Sequence, residues 1–130
     1  MDTDARRLGI FAAVTVLVVT SSLVPGPTDA TGEPTPDVAP PGTDLLAHVV
    51  GYAAVAYTLG RALPDRRTRG DESDSIGPFA AVVVVVAVTT GIGAGVEIAQ
   101  GAVPGRDPSA LDGLANAVGA VGGALLWRRR

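Results

Sequence analysis

Long apolar runs constrain this chain more than any other feature of its sequence. A bilayer core about 30 Å thick is crossed by about 20 apolar residues in a helix, with a range of about 17–25. Four segments have that length: residues 8–24, 44–63, 79–103 and 110–127. Inside lipid the backbone must hydrogen-bond within a helix or a closed barrel, and four segments are too few for a barrel. The sequence therefore predicts an all-α integral membrane bundle of four transmembrane helices, a multi-pass protein of the cell membrane.

Composition excludes several classes of function. The 130 residues include no Cys and one His, which excludes disulfides, thiol nucleophiles, Cys-ligated zinc and multi-His metal sites. We therefore expect no metal and no cofactor. Ten basic residues against 13 acidic ones leave too little positive charge for a nucleic-acid-binding surface. All ten basic residues are Arg, and this acidic, Ala-, Val- and Gly-rich composition is typical of halophiles or of GC-rich genomes.

The positions of the Arg residues predict the orientation in the membrane. Nine of the ten precede the first span, surround the second connection or follow the fourth span, and only Arg106 lies in a connection of opposite parity. Because cytoplasmic loops are enriched in Arg, both termini are predicted to be cytoplasmic and the Pro-rich loop 25–43 extracytoplasmic. The first span also resembles a signal peptide with Arg6 and Arg7 before its apolar run. We expect a retained helix, and its cleavage would leave the other orientations unchanged.

Polar residues within the spans gather at one depth, near the predicted outer face. Ionisable residues inside a span are costly and indicate a functional site unless they are paired. His48 lies one turn after Asp44, Asp112 lies one turn inside the fourth span, and Glu97 lies about 10 Å below the outer end of the third. We predict an outward-facing pocket whose ligand-binding residues are Asp44, His48, Glu97, Gln100, Arg106, Asp112 and Asn116.

Each of these residues also has a purely structural interpretation. The two aspartates could cap helices, since Ser109-x-x-Asp112 before an apolar run matches a capping box. The two amide side chains could form interhelical hydrogen bonds and His48 could donate one more. Glu97 is the hardest to explain in this way, and an ion pair with Arg106 is its main structural alternative.

Glycine spacing predicts how two of the helices pack. Gly91-x-x-x-Gly95 and Gly119-x-x-x-Gly123 fit the close helix approach that small residues permit in membranes. Packing of the third span on the fourth through these glycines would bring their polar residues together. The same glycine-rich faces could instead support an oligomer.

The polar residues resemble a known family. Asp44-Leu-Leu-Ala-His48 followed by Tyr52 is similar to the second-helix motif of VanZ-like membrane proteins. The later residues resemble the C-terminal signature of that family: Glu97-Ile-Ala-Gln100, Pro104-Gly105-Arg106, Ser109, Asp112, Asn116, Gly119 and Gly122. The resemblance covers about residues 44–127, although Leu45 stands where the family often has Lys. It implies a small multi-spanning protein in a family named for low-level teicoplanin resistance, and it implies no particular activity.

Three functions fit such a pocket. The first is an envelope protein that binds the headgroup of a lipid or lipid-linked glycan, with Arg106 and His48 facing anionic groups. The second is an intramembrane enzyme acting on an envelope or lipid precursor, whose candidate catalytic residues are His48 as general acid or base and Glu97 or Asp112 as its orienting carboxylate. The third is a small proton-coupled transporter in which Glu97 titrates. We favour the first, since the sequence has no nucleophile elbow and no phosphate loop, and we leave enzymatic activity open.

Overall fold

The computed structural model describes residues 2–25, 29–31, 42–63 and 77–130, and its described part folds into four α-helices. Helix α1 spans Thr3–Ser22, α2 Thr43–Ala62, α3 Pro78–Gln100 and α4 Ala110–Arg128. The prediction of an all-α chain is confirmed, and each helix overlaps one predicted span. The two largest differences are that α1 begins at Thr3 and so includes Arg6 and Arg7, and that α3 ends at Gln100 instead of residue 103. Most of the predicted Pro-rich loop 25–43 lies outside the described residues.

Glycine, proline and serine define the helix ends. Pro78 occupies the first turn of α3. Backbone N–H groups in the first turn have no acceptor within the helix, so the lack of an N–H in proline costs no hydrogen bond there. Gly42 is the N-cap of α2 in a left-handed conformation with φ of 84°, so the predicted capping by Asp44 is wrong. The predicted cap of α4 is confirmed, since the Ser109 hydroxyl accepts the backbone N–H of Asp112 at 3.3 Å.

Helix α2 is the centre of the bundle. It contacts all three other helices and packs most extensively against α4. Gly119 and Gly123 allow this approach, because a Cβ on either would overlap the carbonyl oxygen of Val49 or Ala53 in α2. The glycine pair of α4 therefore packs against α2, which corrects the prediction that it packs against α3.

The predicted glycine pair of α3 faces away from the other helices. Gly91 and Gly95 are exposed, and a Cβ added to either would meet open space. The prediction that they pack against α4 is wrong. Gly93 serves that purpose instead, since its Cβ would come within 2.9 Å of the side chain of Asn116.

The interior of the bundle is formed by small apolar side chains together with buried polar ones. Ala56, Val85, Ala120 and Ala124 form a buried apolar cluster, against which Trp127 packs. The buried polar side chains come from helices α2, α3 and α4: His48, Thr89, Glu97, Gln100 and Asn116.

The exterior carries the large apolar side chains. Leu17 is 67% exposed, Phe79 73% and Ile98 79%. Helices α1, α3 and α4 are long and apolar enough to cross a membrane, which indicates a membrane protein. Helix α2 does not meet that criterion, and it carries charged residues in its first and last turns, Asp44 and Arg61.

Candidate functional site

One end of the bundle brings together the polar residues that the sequence singled out. The first turns of α2 and α4, the last turn of α3 and the loop 101–109 meet there, beside the end of α1. We call the resulting set the polar cluster: Asp44, His48, Glu97, Gln100, Arg106, Asp112 and Asn116.

A chain of hydrogen bonds connects the three helices at the base of the cluster. His48 Nδ1 lies 2.8 Å from Asn116 Oδ1, and Asn116 Nδ2 donates to Glu97 Oε1 at 3.4 Å. All three residues are buried. Because a carboxylate only accepts, the amide nitrogen of Asn116 must face Glu97 and its oxygen must face His48. The chain therefore runs from His48 as donor to Glu97 as final acceptor.

Glu97 is satisfied by two neutral donors. Besides the amide of Asn116, its Oε2 accepts the backbone N–H of Ser109 at 3.1 Å. Its carboxylate also lies 3.9 Å from His48 Nδ1. The structural alternative of a Glu97–Arg106 ion pair is wrong, because the guanidinium is engaged elsewhere.

Arg106 and Gln100 bond to the end of α1. The Nε of Arg106 donates to the Val24 carbonyl at 3.1 Å, and the side-chain amide of Gln100 donates to the Ser22 carbonyl at 2.9 Å. The last carbonyls of a helix have no partner within it, so Gln100 satisfies a group that α1 leaves free, while Arg106 bonds to the chain just after the helix. Sequence reasoning missed this role of α1, although its unsatisfied C-terminal carbonyls were a signal that donors must lie nearby.

The opening of the cluster is formed by two aspartates and the far side of His48. Asp44 Oδ1 lies 3.9 Å from His48 Nε2, and Asp44 Oδ2 lies 3.8 Å from Arg106 Nη1. One ligand atom from each of Asp44, His48 and Asp112 lies within 4.8 Å of the other two. The Asp44 side chain is 56% exposed, so the cluster is accessible from outside the bundle.

The cluster contains more negative than positive formal charge. Its carboxylates belong to Asp44, Glu97 and Asp112, and its one permanent cation is Arg106. The guanidinium pairs with only the first of them among the described groups. An excess of two negative charges therefore remains when His48 is neutral.

Tyr52 and Thr89 are buried polar side chains further along the helices that carry His48 and Glu97. Sequence reasoning placed neither of them among the site residues. The ring of Tyr52 stacks on that of His48, with centroids 6.3 Å apart and planes inclined by 7°. The hydroxyls of both residues are buried without a hydrogen-bond partner among the described residues. Their spacing was the available signal, because Tyr52 follows His48 by one turn and Thr89 precedes Glu97 by two.

No protein-family model matches this chain, and comparisons with curated proteins and with solved structures also find no match. The resemblance to VanZ-like proteins therefore stays a prediction.

Proposed function

We propose that this VanZ-like chain is a multi-pass membrane protein that crosses the bilayer four times and has both termini in the cytoplasm. Three helices meet the criterion for a membrane span, and the position and length of α2 support it as a further one. It has 20 residues, as α1 does, and contacts every other helix. Its polar side chains His48 and Tyr52 are buried in the bundle interior instead of facing lipid. A polar helix of this kind is tolerated in a membrane when its polar groups are paired inside the bundle.

The topology can be tested by cysteine labelling, because the chain contains no Cys of its own. Asp107→Cys, in the exposed loop before α4, should react with a membrane-impermeant maleimide on intact cells. Arg129→Cys, at the other end of α4, should react only after permeabilisation. Labelling of Arg129→Cys on intact cells, or of Asp107→Cys only after lysis, would contradict the orientation.

We infer that the polar cluster binds the headgroup of a membrane lipid or of a lipid-linked glycan. The observation that carries this proposal is the position of the cluster beside the apolar outer surface. Leu46, Leu111 and Ile98 are 63%, 64% and 79% exposed, and they lie in the same helix turns as the cluster residues. Charged side chains bordered by lipid-facing ones are located where headgroups meet acyl chains.

The charge of the cluster indicates which groups of such a ligand it contacts. Exposed carboxylate oxygens of Asp44 and partly buried ones of Asp112 accept hydrogen bonds from hydroxyls, amides or amines. The sequence-based expectation has Arg106 and His48 facing anionic groups. The Arg106 part of it is weakened, because the guanidinium already lies beside Asp44 and the Val24 carbonyl. A hydroxyl-rich or amine-bearing headgroup fits these acceptors directly.

Native mass spectrometry of the purified protein tests this proposal. Wild-type protein should retain a specific lipid or lipid-linked glycan after delipidating washes. Arg106→Ala should lose it, because the guanidinium pairs with the Asp44 carboxylate that accepts from the headgroup. Arg61→Ala is the matched control, because it removes an exposed arginine at the opposite end of α2. Equal retention by both variants, or no specific retention by the wild type, would contradict the proposal.

A further inference from the structure

We propose that Asp44, His48 and Asp112 together bind one divalent transition-metal cation at the opening of the polar cluster. This inference rests on the proposed headgroup site and deepens it, because the cation would sit between the protein and the ligand. Asp44 and His48 come from the first two turns of α2, and Asp112 comes from the first turn of α4.

The hydrogen bond of His48 leaves one ring nitrogen ready for a metal. Because Asn116 presents its carbonyl oxygen to Nδ1, a neutral imidazole must carry its proton there and keep a lone pair on Nε2. His48 is 6% exposed, and no described donor lies within hydrogen-bonding distance of Nε2. A histidine that binds a metal usually donates its other ring N–H to an oxygen acceptor that fixes its tautomer, as the Asn116 oxygen does here.

The two aspartates face that nitrogen with free carboxylate oxygens. Asp44 uses Oδ2 for Arg106 and directs Oδ1 to the His48 side, at 3.9 Å from Nε2. The three ligand atoms lie within 4.8 Å of one another. Bound ligand atoms are separated by about 3.0–3.4 Å around a metal at 2.0–2.2 Å, so small side-chain rotations complete the site. Asp44 and His48 are one helical turn apart on the same face of α2.

Charge balance favours a divalent cation over a simple ion-pair network. The guanidinium of Arg106 neutralises one carboxylate of the cluster and leaves two negative charges. In a membrane-embedded site, uncompensated charge is costly. One divalent cation balances the two remaining charges and leaves coordination positions open on the exposed side.

The donor set selects among metals and links the cation to the headgroup. One imidazole with two carboxylates favours Zn²⁺ or Mn²⁺, whereas Mg²⁺ and Ca²⁺ prefer sites made of oxygen alone. An open coordination position would accept a phosphate oxygen. The cation therefore gives a net-negative cluster the means to bind phosphate, whether from a lipid headgroup or from free phosphate.

Manganese binding measured by electron paramagnetic resonance provides the first test. The probe is Mn²⁺ added to purified, chelator-treated protein in detergent, since bound Mn²⁺ loses the sharp six-line signal of the free ion. We expect one Mn²⁺ per chain, displaced by equimolar Zn²⁺ and resistant to excess Mg²⁺, in the order of the Irving–Williams series.

Two substitutions remove one ligand each while keeping the shape of the site. His48→Asn retains a donor at the Nδ1 position and deletes Nε2, and Asp112→Asn deletes one carboxylate charge. Each should weaken Mn²⁺ binding by about tenfold or more. Asp107→Asn is the matched control, because it removes a carboxylate from the exposed neighbouring loop and should leave binding unchanged. Circular dichroism and thermal unfolding verify that all three variants fold.

The results distinguish this inference from the proposed function. Stoichiometric Mn²⁺ binding that both ligand variants weaken supports the cation site, whereas no binding, or binding unaffected by them, overturns it. Retention of a headgroup in the presence of chelator would preserve the proposed function while refuting the metal link. Binding of Mn²⁺-loaded protein to phosphatidylglycerol nanodiscs, compared with competition by inorganic phosphate, identifies the source of the phosphate.

Discussion

Replacing Glu97 by Gln should reverse the hydrogen-bond chain at the base of the cluster and move the proton of His48 from Nδ1 to Nε2. In the wild type, the Glu97 carboxylate accepts hydrogen bonds from the Ser109 backbone N–H and from the Asn116 side-chain amide. A glutamine side chain can accept only one of these, with its own oxygen. If that oxygen keeps the Ser109 bond, the new amide group donates to Asn116, which must turn over and donate to His48 Nδ1. All donors are then paired again, in the opposite direction.

The energies indicate that this reversal occurs. Bonds to a charged acceptor contribute about 1.5–3 kcal/mol and neutral ones about 0.5–1.5 kcal/mol, so two bonds together lose about 2 kcal/mol. A chain that did not reverse would also place two N–H donors against each other, at an additional cost of about 1–3 kcal/mol. Since about 1.4 kcal/mol changes a population tenfold, this additional cost should lower the population of the unreversed tautomer to about one fifth or less.

Nitrogen NMR can measure the tautomer directly, because His48 is the only histidine of the chain. Protein labelled with ¹⁵N-histidine should show the Nδ1–H form of the neutral imidazole in the wild type. Glu97→Gln should show the Nε2–H form, and Asp107→Asn should resemble the wild type. Persistence of Nδ1–H in Glu97→Gln, or Nε2–H in the wild type, would refute the proposed direction of the chain. Weaker Mn²⁺ binding by Glu97→Gln is a further consequence, because the protonated Nε2 cannot bind a metal.

Two further predictions concern the packing of the bundle. Gly123→Ala should destabilise the protein by about 1–3 kcal/mol, since its Cβ would overlap the Ala53 carbonyl oxygen, whereas Gly122→Ala meets open space and should not. The stability of both variants can be measured by unfolding in a denaturing detergent, followed by the fluorescence of the single tryptophan. Equal stability of Gly123→Ala and Gly122→Ala would contradict the close approach of α2 and α4. Gln100→Ala should lower stability by about 1–3 kcal/mol in the same assay, because the Ser22 carbonyl loses its donor. An unchanged midpoint would show that water replaces that bond.

The helices could be predicted from sequence because their length and composition follow from the thickness of the bilayer. Four segments of suitable length gave four helices with boundaries within a few residues in most places. The central position of α2 could not be predicted from hydropathy, because hydropathy measures how apolar a helix is and not which helices it contacts. Its polar residues explain its position, because a helix that carries Asp44 and His48 must be surrounded by partners.

The glycine positions show how two sequence signals can compete for one helix. If Glu97 and Gln100 face the interior, the helical period places Gly93 on the same side and turns Gly91 and Gly95 away by about 160°. The small-residue motif predicted the opposite orientation. Burial of polar groups prevails, because an unpaired polar side chain in lipid is costly while an exposed glycine is not. Both signals were present in the sequence, and only their relative energies decide between them.

The depth of the polar residues was predictable, whereas their pairing was not. Pairing depends on backbone groups, which no residue type in the sequence reveals. The most important are the carbonyls of Ser22 and Val24, at and just after the end of α1. Those carbonyls hold Arg106 and Gln100, and so keep the guanidinium away from Glu97. Glu97 is instead satisfied by neutral donors, one of which fixes the direction of the Asn116 amide. The end of α1 therefore helps to determine both the proton position on His48 and the excess negative charge beside it, which are the two conditions that a bound cation requires.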